Sequence, residues 1–272
     1  MLQQAGARNP RVSATPPFCN SQRDWITYGA GDRSSALRRE VRNPALRGAL
    51  RCWSCVVSGL VPARFGRALR FTGGVPEMRV QVVHCHPLTD SYDHALYLAI
   101  LEELAKAGHE AVATDLYRED FQPAMTQAER ASYMSNDYDT STVQLYVDTL
   151  RSVEGVILCF PHGFFSMPAM LKGWADRVWG PGGAFRYDGK GGLSPALDNL
   201  KLFGVVTSYG SPWWVVALFA GNAGKKVLMR GLKPLGARNV RSFYLAHYDM
   251  DHSTDGSRQA FLQRVRSRVS KI

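Results

Sequence analysis

From position 78 onward, short apolar runs alternate with segments whose apolar residues recur every three to four positions. Residues 79–85, 110–115, 155–160, 201–208 and 240–246 read as strands, and the third is apolar throughout. Between them lie helical patterns. Over 91–108, Leu96, Ile100 and Leu104 fall four apart on one face, Asp90 or Ser91 can cap the start, and Gly108 ends the run. Over 167–179, Met167, Met170, Leu171, Trp174 and Val178 line one side, with Pro168 expected in the first turn, where its missing N–H costs nothing. Further helices are expected over 126–134, 141–152 and 221–232 and around Phe261, Leu262, Val265 and Val269. Residues 180–195 read as a Gly-rich loop.

Five apolar strands alternating with helices predict an α/β fold with a doubly wound, five-stranded parallel sheet covered on both faces. Right-handed crossovers and the usual strand order 2-1-3-4-5 follow. That order opens a ligand crevice beyond the carboxyl ends of the first and third strands, where the loops starting at His84 and Pro161 lie.

Residues 1–77 lack such a pattern. They hold 12 Arg, no Lys and 4 acidic residues, whereas 78–272 hold 21 basic and 19 acidic residues. The formal charge of +10 is therefore mostly a property of the first segment, and the rest has the balance of an ordinary globular chain. The expectation is two parts: a disordered extension over 1–77, with Met78 as the working start, and a domain over 78–272. A targeting segment is the rival for the first part. No apolar run reaches the roughly 18 residues of a membrane span. Neither a nucleic-acid partner nor a membrane span is expected, and a cytoplasmic setting is. Cys85 and Cys159 end buried strands and read as small hydrophobes, while Cys52 and Cys55 have redox-motif spacing without the flanking strand and helix.

The chemistry sits at two corners. His84-Cys-His-Pro-Leu-Thr-Asp-Ser-Tyr-Asp93 runs from a strand into a helix N-terminus, where free N–H groups and the helix dipole favour an anion. His86, Thr89 and Ser91 can donate to phosphate oxygens there. Pro161, His162, Gly163, Phe164 and Phe165 offer a flat apolar surface suited to a heteroaromatic ring. Residues 221–226 have the wrong spacing for a phosphate loop, and His247, His252 and Asp255 read as a solvated loop. No metal is expected.

The stretches "HCHPLTDSYDHAL", "HEAVATDLYREDFQP" and "FPHGFFSMPAMLKGWADRVWGPGGAF" resemble the NAD(P)H:quinone oxidoreductase family of flavodoxin-like flavoenzymes. The resemblance implies a flavodoxin-like fold and a bound flavin, FAD with FMN as the alternative. It places His86, Ser91, Tyr92 and Asp93 at the phosphates, with Asp93 where the family has Asn. It places Pro161 to Phe165 along the isoalloxazine, with Phe164 where the family has Trp, and Thr207, Ser208 and Gly210 at the pyrimidine edge, with Tyr209 as a departure. It implies that hydride passes from NAD(P)H through flavin N5 to a quinone or similar acceptor in ping-pong fashion, in a homodimer, with Trp213 and Trp214 either at the dimer contact or buried in the chain's own core. No protein acid or base is assigned after Gly210. Two rivals remain: a regulatory flavoprotein of an ion-transport system, and an electron carrier without enzyme activity.

Overall fold

The computed structural model describes residues 77–272 and, before them, the two-residue strand β1 (Ala68–Leu69). The expectations for residues 1–67 and 70–76, including the disordered extension, the targeting segment and the Cys52–Cys55 pair, lie outside the described residues.

Beyond β1 the elements are β2 (Arg79–His84), α1 (Tyr92–Lys106), β3 (Glu110–Asp115), α2 (Gln127–Ser132), α3 (Gln144–Ser152), β4 (Gly155–Pro161), α4 (Ala169–Val178), β5 (Phe185–Tyr187), β6 (Leu193–Pro195), β7 (Leu202–Ser208), α5 (Ala223–Val227), β8 (Arg241–His247) and α6 (Asp255–Val269). The main sheet runs β1-β3-β2-β4-β7-β8. Its five long strands are parallel, in the expected order, and β1 adds a short antiparallel edge on β3.

Alternation along each strand supplies two cores. Val156, Leu158 and Phe160 of β4 and Phe203 and Val205 of β7 face one side, packed with Val147, Leu150, Leu171 and Trp174 from α3 and α4. Val80 and Val82 of β2, Ile157 and Cys159 of β4 and Val206 of β7 face the other, against Leu96, Ile100, Phe261 and Val265 from α1 and α6. Each face is covered by helices, which is why the strands read as continuous apolar runs rather than as half-polar ones.

Local signals set the ends. The Ser91 side chain accepts from His94 N at 3.1 Å and caps α1, and Gly108 leaves the helix at φ +85°. Thr126 and Glu129 form a reciprocal capping box on α2. Three expectations change. Pro168 precedes α4 as its cap rather than entering its first turn. Residues 180–195 carry the β5–β6 hairpin, with Arg186 paired to Ser194. The helix expected over 221–232 is α5 followed by a wider π-helical turn at Leu228–Leu232.

Two contacts hold α4 in place. Arg177 is buried and donates to Glu129 carboxylate oxygens at 2.7–3.1 Å and to Thr142 Oγ1 at 2.6 Å, and it also reaches the Gln122 carbonyl. Burial alone would raise the Glu129 pKa; its bonds from Arg177, Thr126 N–H and Thr142 outweigh that and hold it low. Gly173 is the second contact. A Cβ there would stand 2.2 Å from the Pro123 carbonyl oxygen, so the glycine of "LKGW" lets the backbones touch.

Removing the guanidinium with Arg177→Met strands a buried carboxylate and is expected to cost about 3–5 kcal/mol. Pairing it with Glu129→Leu should recover most of the loss, read from urea unfolding midpoints. Gly173→Ala is expected to lose about 1–3 kcal/mol by overpacking. A wild-type midpoint in Gly173→Ala would mean that α4 and Pro123 are not in contact.

Candidate active site

Parallel register brings four strand ends to one edge. His84 of β2 is level with Cys159, Phe160 of β4 with Thr207, and Pro161 with Ser208; Ser208 of β7 is level with His247 of β8. The loops after β2, β4 and β7 therefore open on the same side, as the crevice rule requires.

Side chains tie these loops together. Ser208 Oγ donates to both Asp93 carboxylate oxygens, at 3.1 and 3.0 Å, linking the end of β7 to the first turn of α1. His162 N–H donates to the Ser208 carbonyl at 2.9 Å, linking β4 to β7, and Tyr209 N–H donates to the His247 carbonyl at 2.8 Å, linking β7 to β8. Asp93 is buried, and burial raises its pKa, with the Ser208 hydroxyl pulling the other way. Its carboxyl thus points into the protein.

The loop after β2 is open. Pro87, Leu88, Thr89 and Asp90 are exposed, and His86 and Ser91 are half-buried. Leu88 N–H donates to His86 Nδ1 at 3.1 Å, which fixes the ring's orientation. Thr89 and Ser91 stand at the N-terminus of the 15-residue α1. Tyr92 does not join them: its hydroxyl donates to the Arg258 carbonyl at 3.1 Å, toward α6.

The corner after β4 is a tight turn. Gly163 and Ser166 exchange both backbone hydrogen bonds, at 3.2 and 3.0 Å, and the two residues between them have left-handed backbones, Phe164 at φ 48° and Phe165 at φ 59°. Both central residues at positive φ make this a type I′ turn, a place for Gly or Asn. The Phe164 ring is fully exposed. Non-glycine residues held this way cost of order 1–3 kcal/mol each, and such strain collects where function fixes the backbone.

Behind the turn lies an aromatic stack. The His162 ring lies flat on Tyr209, with centroids 4.0 Å apart and planes 13° apart, and Tyr209 lies flat on Tyr248 at 5.3 Å. Its hydrogen bonds have one consistent direction. Thr207 Oγ1 donates to the Phe160 carbonyl at 2.6 Å, so it accepts from His162 Nδ1 at 2.7 Å. His162 Nε2 then accepts from the Tyr209 hydroxyl at 3.0 Å, which accepts from the Tyr244 hydroxyl at 2.6 Å. Both imidazole nitrogens are in use, and burial lowers the His162 pKa to about 3. The ring is neutral, with its proton on Nδ1. The Thr207 and Ser208 hydroxyls are likewise turned inward, and a Cβ on Gly210 would stand 2.9 Å from the Asp251 carboxylate.

Sequence reasoning pointed to the loops after β2, β4 and β7, read the loop after β8 as merely solvated, and missed Tyr244 and Tyr248 as partners of Tyr209. The only signal for them was their place in the last strand, Tyr244 in the middle of β8 and Tyr248 just past its end. The His247–Asp255 run does not converge: His247 stacks on Phe261 at 5.1 Å, while the exposed His252 pairs with Asp249 at 2.8 Å. The Cys85 pKa is pushed up to about 12 by burial and that of Cys159 well up for the same reason, so neither is a ready nucleophile.

The family described as flavodoxin-like fold matches residues 78–269. An uncharacterized NAD(P)H oxidoreductase of Escherichia coli, YcaK, is 34% identical over 109 residues, which are 39% of this chain and 55% of that protein. The human ribosyldihydronicotinamide dehydrogenase (quinone) is 30% identical over 145 residues, 47% of this chain and 63% of that protein. This chain therefore spans less than two thirds of the length of these curated relatives. Among solved structures, the NAD(P)H:quinone oxidoreductase of Methanothermobacter marburgensis is 26% identical, with a TM-score of 0.61 over 71% of this chain and 96% of that one. The resemblance to NAD(P)H:quinone oxidoreductases carried by the sequence motifs is thus borne out by relatives of that name. With the family match running from the start of β2 to the end of α6, the chain belongs to the flavodoxin-like fold family.

Proposed function

We propose that residues 78–272 form a flavin-dependent NAD(P)H oxidoreductase that reduces a quinone or similar acceptor. The observation that carries this reading is the strained Phe164–Phe165 turn with its exposed Phe164, set on the same sheet edge as the open, hydroxyl-bearing N-terminus of α1. One supplies a flat π-face for a ring; the other suits phosphate oxygens. The donor set fits a flavin, and relatives named as NAD(P)H oxidoreductases and quinone dehydrogenases support it. FAD is the preferred form, because the loop from His86 to Ser91 can meet a pyrophosphate; FMN is the alternative.

Bound there, a flavin supplies hydride chemistry, taking reducing equivalents from NAD(P)H and passing them to the acceptor. The chain's own groups bind and orient it. His86, Thr89 and Ser91 hold the phosphates at the start of α1. Phe164 covers one face of the ring, and the turn's backbone holds its edge. Asp93, with its carboxyl bonded to Ser208, keeps the phosphate loop and the β7 loop at a fixed separation. His162 holds no proton at Nε2 and does not act as an acid; it braces the turn against Tyr209. Because one crevice serves donor and acceptor in turn, turnover is ping-pong. An exposed apolar strip of Trp213, Trp214, Leu218 and Phe219 beside this edge suits a second copy of the chain, making a homodimer. Two buried, unpaired thiols suit a reducing, cytoplasmic setting.

The full chain is expected to purify yellow and to release one flavin on denaturation, identified by chromatography. Double-reciprocal plots against a quinone at several NAD(P)H concentrations should be parallel. A colourless protein that takes up neither FAD nor FMN would overturn the reading; bound flavin without oxidation of NADH or NADPH would turn it into an electron carrier. Phe164→Ala should cut flavin retention at least tenfold while the fold persists. Phe164→Gly should do the same and gain about 1 kcal/mol of stability as the left-handed strain is relieved.

His162 also gives a pH dependence. Its folded pKa lies far below its ordinary value, so between the two the unfolded chain takes up a proton that the fold refuses. Its contribution is complete above about pH 6.5 and is lost as pH falls toward 3. Between about pH 7 and 4.5, His162→Asn should lose on the order of 2 kcal/mol less stability than the wild type, since each tenfold change in proton affinity is worth about 1.4 kcal/mol and partial solvent access discounts it. Parallel stability–pH curves for the two proteins would place a proton on the folded His162 ring.

A further inference from the structure

A second cluster lies at the carboxyl edge of the sheet, at the ends of β2 and β3 and in the first turn of α1. His84 and Asp115 are the last residues of β2 and β3 and are partners in register, and His84 Nδ1 lies 3.3 Å from Asp115 Oδ2. His94 comes from the first turn of α1, and its ring meets that of His84 edge-on, with centroids 5.1 Å apart. One nitrogen from each imidazole and one Asp115 oxygen all lie within 4.8 Å of one another.

Two of these groups are incompletely satisfied. His84 is fully buried, clamped by stacking on Tyr97 at 4.6 Å, and its Nε2 has no hydrogen-bond partner among the described residues; nor has His94 Nδ1. An unpaired buried polar atom costs about 1–3 kcal/mol. The carboxylate beside them is held in place: Asp115 Oδ1 accepts from Tyr117 and Arg118 N–H at 3.2 and 3.3 Å, and its other oxygen faces His84. His84 Nε2 and His94 Nδ1 are therefore uncommitted, while His84 Nδ1 faces the anchored carboxylate. Among the described residues, the cation beside it is the Arg118 side chain, 3.5 Å from Asp115 Oδ2 and mostly exposed, free to swing away.

We propose that His84, His94 and Asp115 bind a divalent transition-metal ion of the zinc class. Two imidazoles and a carboxylate are borderline donors that suit Zn²⁺, Co²⁺ and Ni²⁺ better than Mg²⁺ or Ca²⁺. Metal–nitrogen bonds of about 2.0–2.1 Å require the donors to close in by roughly an ångström, a rotamer-scale adjustment for His94. Three protein donors leave a coordination position open. The ion would cross-link β2, β3 and α1 two residues before His86, and so stiffen the base of the loop between them. This site is independent of which redox group the neighbouring crevice takes.

The test is isothermal titration of Zn²⁺ into the full chain, freed of any affinity tag and stripped with chelator, at neutral pH. The expected result is one ion per chain, with His94→Ala binding at least tenfold more weakly and His252→Ala, at an exposed His–Asp pair, unchanged. As a check on folding, Zn²⁺ should raise the thermal midpoint of the wild type and of His252→Ala but not that of a His94→Ala protein with wild-type circular dichroism. No stoichiometric uptake by the wild type would overturn the proposal. So would undiminished affinity in both His94→Ala and His84→Gln, or Mg²⁺ binding as tightly as Zn²⁺.

Discussion

The structure depends on the shared register of its parallel strands. Because β2, β4, β7 and β8 run the same way and end level, their loops emerge at one edge, and any one of them can touch the next. Antiparallel strands would have sent alternate loops to opposite edges. The register alone would leave three independent loops; the Asp93–Ser208 bonds and the His162–Thr207–Phe160 chain turn them into one unit. Asp93 illustrates the physics. A carboxyl in the first turn of a helix is favoured by the dipole, but burial disfavours its charge. One hydroxyl proton shared between its two oxygens helps it stay inside, so it acts as a clamp between α1 and β7 and leaves the open side of the α1 N-terminus to His86, Thr89 and Ser91.

Much of the fold was legible because the strands are buried on both faces. Continuous runs such as that of β4 and the four-residue spacing of Leu96, Ile100 and Leu104 survive in the structure nearly to the residue. The misses have local causes. The β5–β6 hairpin is three residues on a side, with Leu193, Ser194 and Pro195 exposed, so no alternation announces it. The helix expected at 221–232 widens at Leu228–Leu232, where Gly231 and the following Pro234 weaken a regular ladder. At the site, positions were legible and roles were not. The family resemblance pointed to Thr207, Ser208 and Tyr92, but it could not show that their hydroxyls bond to Phe160, Asp93 and Arg258. The His84, His94 and Asp115 cluster was invisible for a related reason: its members come from three elements, and only the pairing of β2 with β3 makes them neighbours.

The hydrogen-bond direction through the stack behind β4 decides what the site can do with protons. A backbone carbonyl can only accept, so fixing Thr207 on the Phe160 carbonyl fixes every bond upstream, as far as Tyr244. The chain ends on an atom that cannot pass a proton on. Burial lifts the Tyr209 pKa to about 12, and the Tyr244 pKa is raised further by burial and by its bond to Tyr209. A neutral imidazole between a phenol that does not ionise and a hydroxyl already spoken for is a structural brace. This stack therefore has no proton to offer to a ligand in the crevice.

That rigidity explains how the fold tolerates two consecutive left-handed phenylalanines. A turn of this kind relaxes unless its neighbours over-determine it. Here His162 is fixed on both ring nitrogens and on its backbone N–H, Gly163 and Ser166 close the turn by two bonds, and a Cβ at Gly224 would collide with both His162 and the Phe165 carbonyl. The segment that begins α5 thus presses directly on the corner. The strain is local, the restraints come from the turn itself, the end of β7 and α5, and the result is an aromatic ring held away from the described residues. An exposed Phe at a glycine-type backbone position gains nothing from folding by itself, and a flat ring stacked on it, as proposed above, would supply the missing contact.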